Sequence, residues 1–121
     1  MEDLSFSEGP KESMNFMGQL QELVKKCTEA IGDTKIPLSN RVNALESFLW
    51  AKISKDQEYL DASKKLDDQY KSDRKRIEYL EGYDSKHRGA EIALMRLRAK
   101  KKFMAIMVFV DKMGYMALKS E

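Results

Sequence analysis

Cysteine, histidine, tryptophan and proline are nearly missing from this chain, which has one Cys, one His, one Trp and two Pro among 121 residues. A lone thiol, Cys27, makes no internal disulfide, so the fold does not depend on oxidation and a reducing, cytoplasmic setting is expected. A chain of this length buries roughly two-thirds of its unfolded surface and needs neither metal nor disulfide staples to hold a core. His87 and Cys27 stand in different segments, which leaves no Cys-His nucleophile pair and no Cys/His metal cage. The glycine-rich phosphate loops, the dinucleotide turn and the Gly-x-Ser-x-Gly elbow are also absent. Asp67 and Asp68 are interleaved with Lys64, Lys65 and Lys71 at helical spacing, the pattern of a solvated salt-bridged face rather than of a divalent-ion site. The sequence predicts no enzyme, no catalytic residue, no cofactor and no metal.

Long hydrophobic runs are missing too. The most apolar stretch, Phe103 to Leu118, is interrupted by Asp111, Lys112 and Gly114 and is shorter than the roughly 20 residues of a membrane span. The first residues, Met1-Glu2-Asp3-Leu4, carry acids where an export signal carries basic residues and an apolar core. The expectation is a protein with no membrane segment.

What the chain has in quantity is charge, unevenly spread. The overall net of +2 hides an acidic front, with three basic and seven acidic side chains in residues 1–33. The back is basic, with nine basic and three acidic side chains in residues 85–121. Such asymmetry suits a polyanion-binding face, an acidic segment that competes for it, or head-to-tail association.

The hydrophobic pattern predicts an all-α fold. Residues 1–12 lack an apolar period and read as a mobile acidic leader to a single helical domain, residues 13–121. A first, short helix over about 13–31 follows from Phe16, Met17, Leu20, Leu23, Val24, Cys27 and Ile31, which fall on one stripe. Gly32 stops it, and Pro37 interrupts the connector. Ser39 or Asn40 is the expected cap of a second helix over about 39–81, a stretch without Gly or Pro. A heptad threads it through Val42, Leu45, Leu49, Tyr59, Leu66, Tyr70, Ile77 and Leu80, but meets Lys52, Asp56, Ser63 and Asp73 in the middle. Unbroken, that helix would be about 60 Å long, so it either breaks or leans on a neighbouring subunit.

A polar turn, Gly82 to Gly89, leads to a third helix over about 90–118, making a long helical hairpin or bundle. Its second half is apolar on nearly every face, and such a helix must be surrounded. Self-association through Phe103, Ile106, Met107, Phe109, Val110 and Met113 is one solution, and a central helix wrapped inside a monomer is the other. The β character of residues 106–110 also allows a short strand there.

Residues 71–102 hold eleven basic side chains against five acidic ones. Folded back as a hairpin, Arg74, Lys75, Arg76, Lys86, Arg88, Arg96, Arg98, Lys100, Lys101 and Lys102 come near one turn, with Tyr79 and Tyr83 among them. Cations interleaved with aromatic faces are what single-stranded nucleic acid uses. The competing reading of the same residues is a solvated face that keeps the protein soluble.

The run Arg74-Lys75-Arg76-Ile77-Glu78-Tyr79-Leu80-Glu81-Gly82 resembles the signature of the T-even phage recombination mediator family (UvsY). In that signature Lys-Ala-Arg-Leu precedes an acidic residue, paired tyrosines and a glycine. Asp33-Thr34-Lys35-Ile36 is similar to the family's entry into its long helix, and Trp50 lies near an aromatic position of that helix. The ending Gly114-Tyr115 with Leu118-Lys119 is similar to the family's Gly-aromatic-x-Ile-Lys, one residue longer. Lys75 and Leu80 depart from the motif, and the tract after Gly82 is short. The resemblance covers residues 33–82 and, less closely, 103–119. It implies a small helical protein that forms rings, binds single-stranded DNA and helps a RecA-like recombinase replace a single-strand-binding protein, in the cytoplasm of a phage-infected host.

The sequence therefore predicts an oligomeric accessory protein of replication, recombination and repair. The alternative is a protein-only adaptor, inhibitor or small virion component that docks a partner helix through Phe48 and Trp50.

Overall fold

The computed structural model of the chain describes residues 9–81 and 85–114, and these are helical apart from two short connectors and the last turn. Four helices follow one another: α1 (Gly9–Gly32), α2 (Leu38–Ile53), α3 (Gln57–Glu81) and α4 (Ser85–Lys112). Among the described residues there is no strand. Residues 106–110 lie inside α4, their β character overridden by the apolar face they present to other helices.

The expected leader is shorter than residues 1–12, because α1 already runs from Gly9 and Pro10. Proline is well suited to a first helical turn, where its missing N–H has no partner to lose and its fixed φ is already helical. Residues 1–8 lie outside the described residues. The second helix starts earlier than expected, at Leu38, with Pro37 in extended conformation as its N-cap. Ser39 and Asn40 therefore sit inside the first turn, and no side chain caps it.

The long helix breaks. Ser54 to Asp56 form a tight connector in which Lys55 N donates to Lys52 O at 3.3 Å and Asp56 N to Ile53 O at 3.1 Å. On its far side Leu60 N donates to Asp56 O at 3.0 Å, so Asp56 opens α3. The consequence is measured by Tyr59, whose hydroxyl donates to Glu46 Oε2 at 2.6 Å. Thirteen residues of unbroken helix would hold those two positions about 20 Å apart. Lys112 of α4 grips the break from outside, reaching Asp56 and Glu58, each at 2.9 Å. These two contacts, Glu58 first, push the Lys112 ammonium above its ordinary range.

The core is built by α1, α2 and α4, with the start of α3 at its edge. Leu38, Val42, Leu45, Leu49 and Ile53 form the buried face of α2. Leu20, Cys27 and Ala30 of α1 meet them, as do Ala99, Phe103, Ile106, Phe109 and Val110 of α4 and Tyr59 at the start of α3. Phe16 stacks on Phe48 with centroids 5.1 Å apart, and Lys52 Nζ lies over the Phe16 ring at 5.5 Å. Burial pushes the Cys27 thiol up to about 11 against a smaller opposing effect of Arg41. Glu46 ties α2 to two neighbours at once, accepting from Tyr59 and pairing with Lys102 at 3.1 Å.

This arrangement corrects the expected oligomer seam. Phe103, Ile106, Phe109 and Val110 face the chain's own core, and Met107 packs against it half-buried. The break after Ile53 supplies enough separate helices to wrap this half of α4, so the monomer itself buries what a straight second helix would have left bare. Met113 stays exposed, and so do Met104 and Val108 on the outward side of α4.

Candidate binding surfaces on the helical arm

Beyond Tyr59 the character of the molecule changes. None of the described residues between Leu60 and Arg98 is buried. Here α3 packs against α4 as a two-helix arm about 30 Å long at about 1.5 Å per residue. The pairing is antiparallel: Arg74 meets Glu91, Asp67 meets Arg98, and Asp56 and Glu58 meet Lys112. The midpoints of these pairs all fall between residues 82 and 85, so one register runs along the whole arm.

Its seam is thin. Ser63, Leu66, Tyr70, Asp73 and Ile77 of α3 keep the three-and-four spacing and are half-buried, facing Glu91, Leu94, Arg98 and Ala105 of α4. Arg98 replaces an apolar knob, donating through Nε to Asp67 Oδ1 at 2.9 Å while its guanidinium lies 5.4 Å from the centre of the Tyr70 ring. The planar cation can do both at once, pairing through its edge and stacking through its face.

Arg96 has a different task. Its guanidinium reaches back to the end of α1, donating to Ile36 O at 3.0 Å, Asp33 O at 3.2 Å and Ile31 O at 3.4 Å, and also to Ala30 O. The last carbonyls of a helix have no intrahelical donors and form the negative end of its dipole, so a buried-side cation there satisfies both needs.

The eleven side chains singled out as a nucleic-acid surface thus divide. Arg96 and Arg98 are spent on the fold, Lys102 on Glu46, and Arg74 on Glu91 at 3.1 Å and Glu78 at 3.6 Å. The hydrogen bond that Arg74 donates to Glu91, first, raises its already high pKa. Lys75, Arg76, Arg88, Lys100 and Lys101 are exposed and have no acidic partner among the described residues, and Lys71 joins them. The side chains of Tyr79, Tyr83 and Lys86 lie outside the described residues. By helical spacing the unpaired cations do not converge on one patch: Lys71 and Lys75 share one flank of α3, Arg76 lies on the other, and Lys100 and Lys101 lie beside Leu97 on α4.

Of the two docking candidates on α2, Phe48 is committed to Phe16 while Trp50 is 49% exposed. Apolar side chains are also exposed where the sequence reading placed none: Ile92 and Met95 beside the connector Thr34–Asn40, and Leu97, Met104 and Val108 along the outside of α4. Their 3.6-residue period was legible, but which side of α4 the rest of the chain covers was not. Among the described residues no group of three or more His, Cys, Asp or Glu side chains is placed to hold a metal ion, and no helix is long and apolar enough to cross a membrane. Comparison with family models, with curated proteins and with solved structures gave no match to this chain.

Proposed function

We propose that this chain is a non-enzymatic nucleic-acid-binding accessory protein that takes single-stranded DNA along its two-helix arm. The observation that carries the reading is a set of six exposed cations, Lys71, Lys75, Arg76, Arg88, Lys100 and Lys101, without acidic partners among the described residues, four of them on the stretch from Leu60 to Arg98 whose described residues include no buried one. Where charge is needed for folding, as at Arg96 and Arg98, the chain pairs it. A flexible single strand, unlike a stiff duplex, can follow cations spread around two helices. The stretch that resembles the recombination mediator family, residues 74–82, lies at the tip half of α3 and contains two of the six. That resemblance adds the rest of the proposal: a cytoplasmic phage-type system in which the protein helps a RecA-like recombinase displace a single-strand-binding protein.

The test is the salt dependence of binding to a fluorescent oligonucleotide. Each neutralised phosphate on a single strand contributes about −0.7 to the slope of log affinity against log salt, so six contacts give a slope near −4. Lys75→Ala with Arg76→Ala removes two of them and is expected to flatten the slope by about 1.4, whereas Arg98→Lys, on the paired side, leaves it unchanged. Affinity that does not vary with salt, or a slope indifferent to the double substitution, refutes the reading.

One observation favours a second reading, a helical adaptor for another protein. Trp50 presents a large, half-exposed ring on the outside of α2. For an adaptor, Trp50→Ala abolishes partner binding and leaves oligonucleotide affinity untouched; for a DNA-binding arm, Trp50→Ala has no effect on either the slope or the affinity.

A further inference from the structure

We infer that a second copy of this chain pairs with the outward face of α4, antiparallel and about a two-fold axis, through Lys101, Met104, Val108 and Asp111. Met104 and Val108 are each 59% exposed, on a helix whose opposite side carries Ala99, Phe103, Ile106 and Val110 into the core. With Leu97, 44% exposed, they mark positions 97, 101, 104, 108 and 111, separated by four, three, four and three residues. That spacing is a helix-pairing stripe, exposed along its length, with α3 beside it at Leu97, Lys101 and Val108 rather than over it.

The order of residues along the stripe decides the occupant. In a two-fold contact, if residue i meets residue j then j meets i, so the surface must complement itself when reversed. Reversal about the midpoint of Met104 and Val108 lays Met104 on Val108 of the other copy, twice, and Lys101 opposite Asp111 of the other copy, twice. Both charged side chains are exposed and without a side-chain partner among the described residues. A parallel pairing would instead set Lys101 against Lys101 and Asp111 against Asp111, which repels. An unrelated partner helix would need its own acidic and basic ends in matching order, whereas a second copy brings them already.

The contact is small. From Leu97 to Asp111 the stripe is about 21 Å long and about 10 Å wide, short of the roughly 800 Å² per partner of a standard interface. A weak, concentration-dependent dimer follows. It goes beyond the DNA-binding reading and does not rest on it: the contact takes Lys101 from the six exposed cations and leaves Lys71, Lys75, Arg76, Arg88 and Lys100 outside it.

Sedimentation velocity on the full chain, without oligonucleotide, at low and high micromolar concentration tests this. Wild type is expected to pass from one chain to two. Lys101→Asp or Asp111→Lys alone is expected to weaken dimerisation by about ten-fold or more, because each sets like charges face to face twice. Lys101→Asp combined with Asp111→Lys restores it. Both side chains are exposed, so unchanged thermal unfolding of monomeric variants confirms that only the contact is altered. A wild type that stays single at every concentration, a larger assembly, a dimer indifferent to the single reversals, or a double reversal that fails to restore pairing each overturns the inference.

Discussion

Replacing Arg96 with alanine removes a side chain that looks, from its place in a basic run, like a surface cation. Its two terminal nitrogens donate to carbonyls of Ala30, Ile31, Asp33 and Ile36, and only two of those distances, 3.0 and 3.2 Å, are comfortably within hydrogen-bond range. Hydrogen bonds from a charged donor contribute roughly 1.5–3 kcal/mol each, and the residue is only half-buried, so water replaces part of the loss. An overall destabilisation of about 2–4 kcal/mol is expected for Arg96→Ala. At about 4 °C per kcal/mol for a domain of this size, thermal unfolding followed by circular dichroism should fall by roughly 8–16 °C. Arg96→Lys should recover less than half of that, because a point ammonium does not span carbonyls on both sides of the connector as the planar fork does. Ordinary surface substitutions stay within about 0.5 kcal/mol. If Arg96→Ala unfolds within that margin of wild type, the guanidinium does not close α1, and its assignment to the fold rather than to a ligand is wrong.

Two further expectations concern the interior. Lys102 and Glu46 pair with side chains only 12% and 19% exposed, so Lys102→Met leaves a carboxylate nearly out of water and should cost about 2–4 kcal/mol, while Lys102→Met with Glu46→Gln should cost less than the single change, read by urea unfolding. Stability should also fall on the alkaline side, since the folded-state pKa of Cys27 is raised from 9.0 to about 11 by burial and that of Tyr59 is raised from 10.0 by burial and then by its bond to Glu46. A raised pKa means the folded form holds its proton longer, so this stability is complete below about pH 9 and drains as pH climbs past it. Cys27→Ala should flatten the loss between about pH 9 and 11, and a profile unchanged by that substitution would contradict the assigned cause.

Helical class was legible because it rests on local signals such as the stripe from Phe16 to Ile31, but the expected turn from Gly82 to Gly89 was too long: α4 already runs from Ser85, so Gly89 is helical, and residues 82–84 lie outside the described residues. The heptad placed Leu66, Tyr70 and Ile77 on the seam where they lie, half-buried. What the sequence left open was where, in a stretch without Gly or Pro, the long helix breaks. Ser54-Lys55-Asp56 contains neither, yet Asp56 is a good helix opener and Gln57-Glu58 a favourable first turn, a signal available in the sequence but weaker than the uninterrupted apolar pattern around it. With the break unplaced, the oligomer seam and the wrapped monomer both stood, since an unbroken helix cannot wrap the apolar half of α4 and a broken one can. The basic cluster was legible as composition only. Which arginines are spent on Glu91, Asp67 or the end of α1 depends on contacts 17 to 66 residues apart in the chain, and no local pattern reports them.

The arm that starts beyond Tyr59 has no interior of its own, and this sets how the molecule yields. Opening it exposes little that was sheltered, so amides of the seam should exchange with solvent through a partial melting far cheaper than loss of the whole domain, while those around Ile106 and Leu45 wait for global unfolding. Separation of this kind also frees its dimensions: inserting or deleting whole heptads, two helical turns each, in both helices of the arm keeps their register and leaves the packed base untouched.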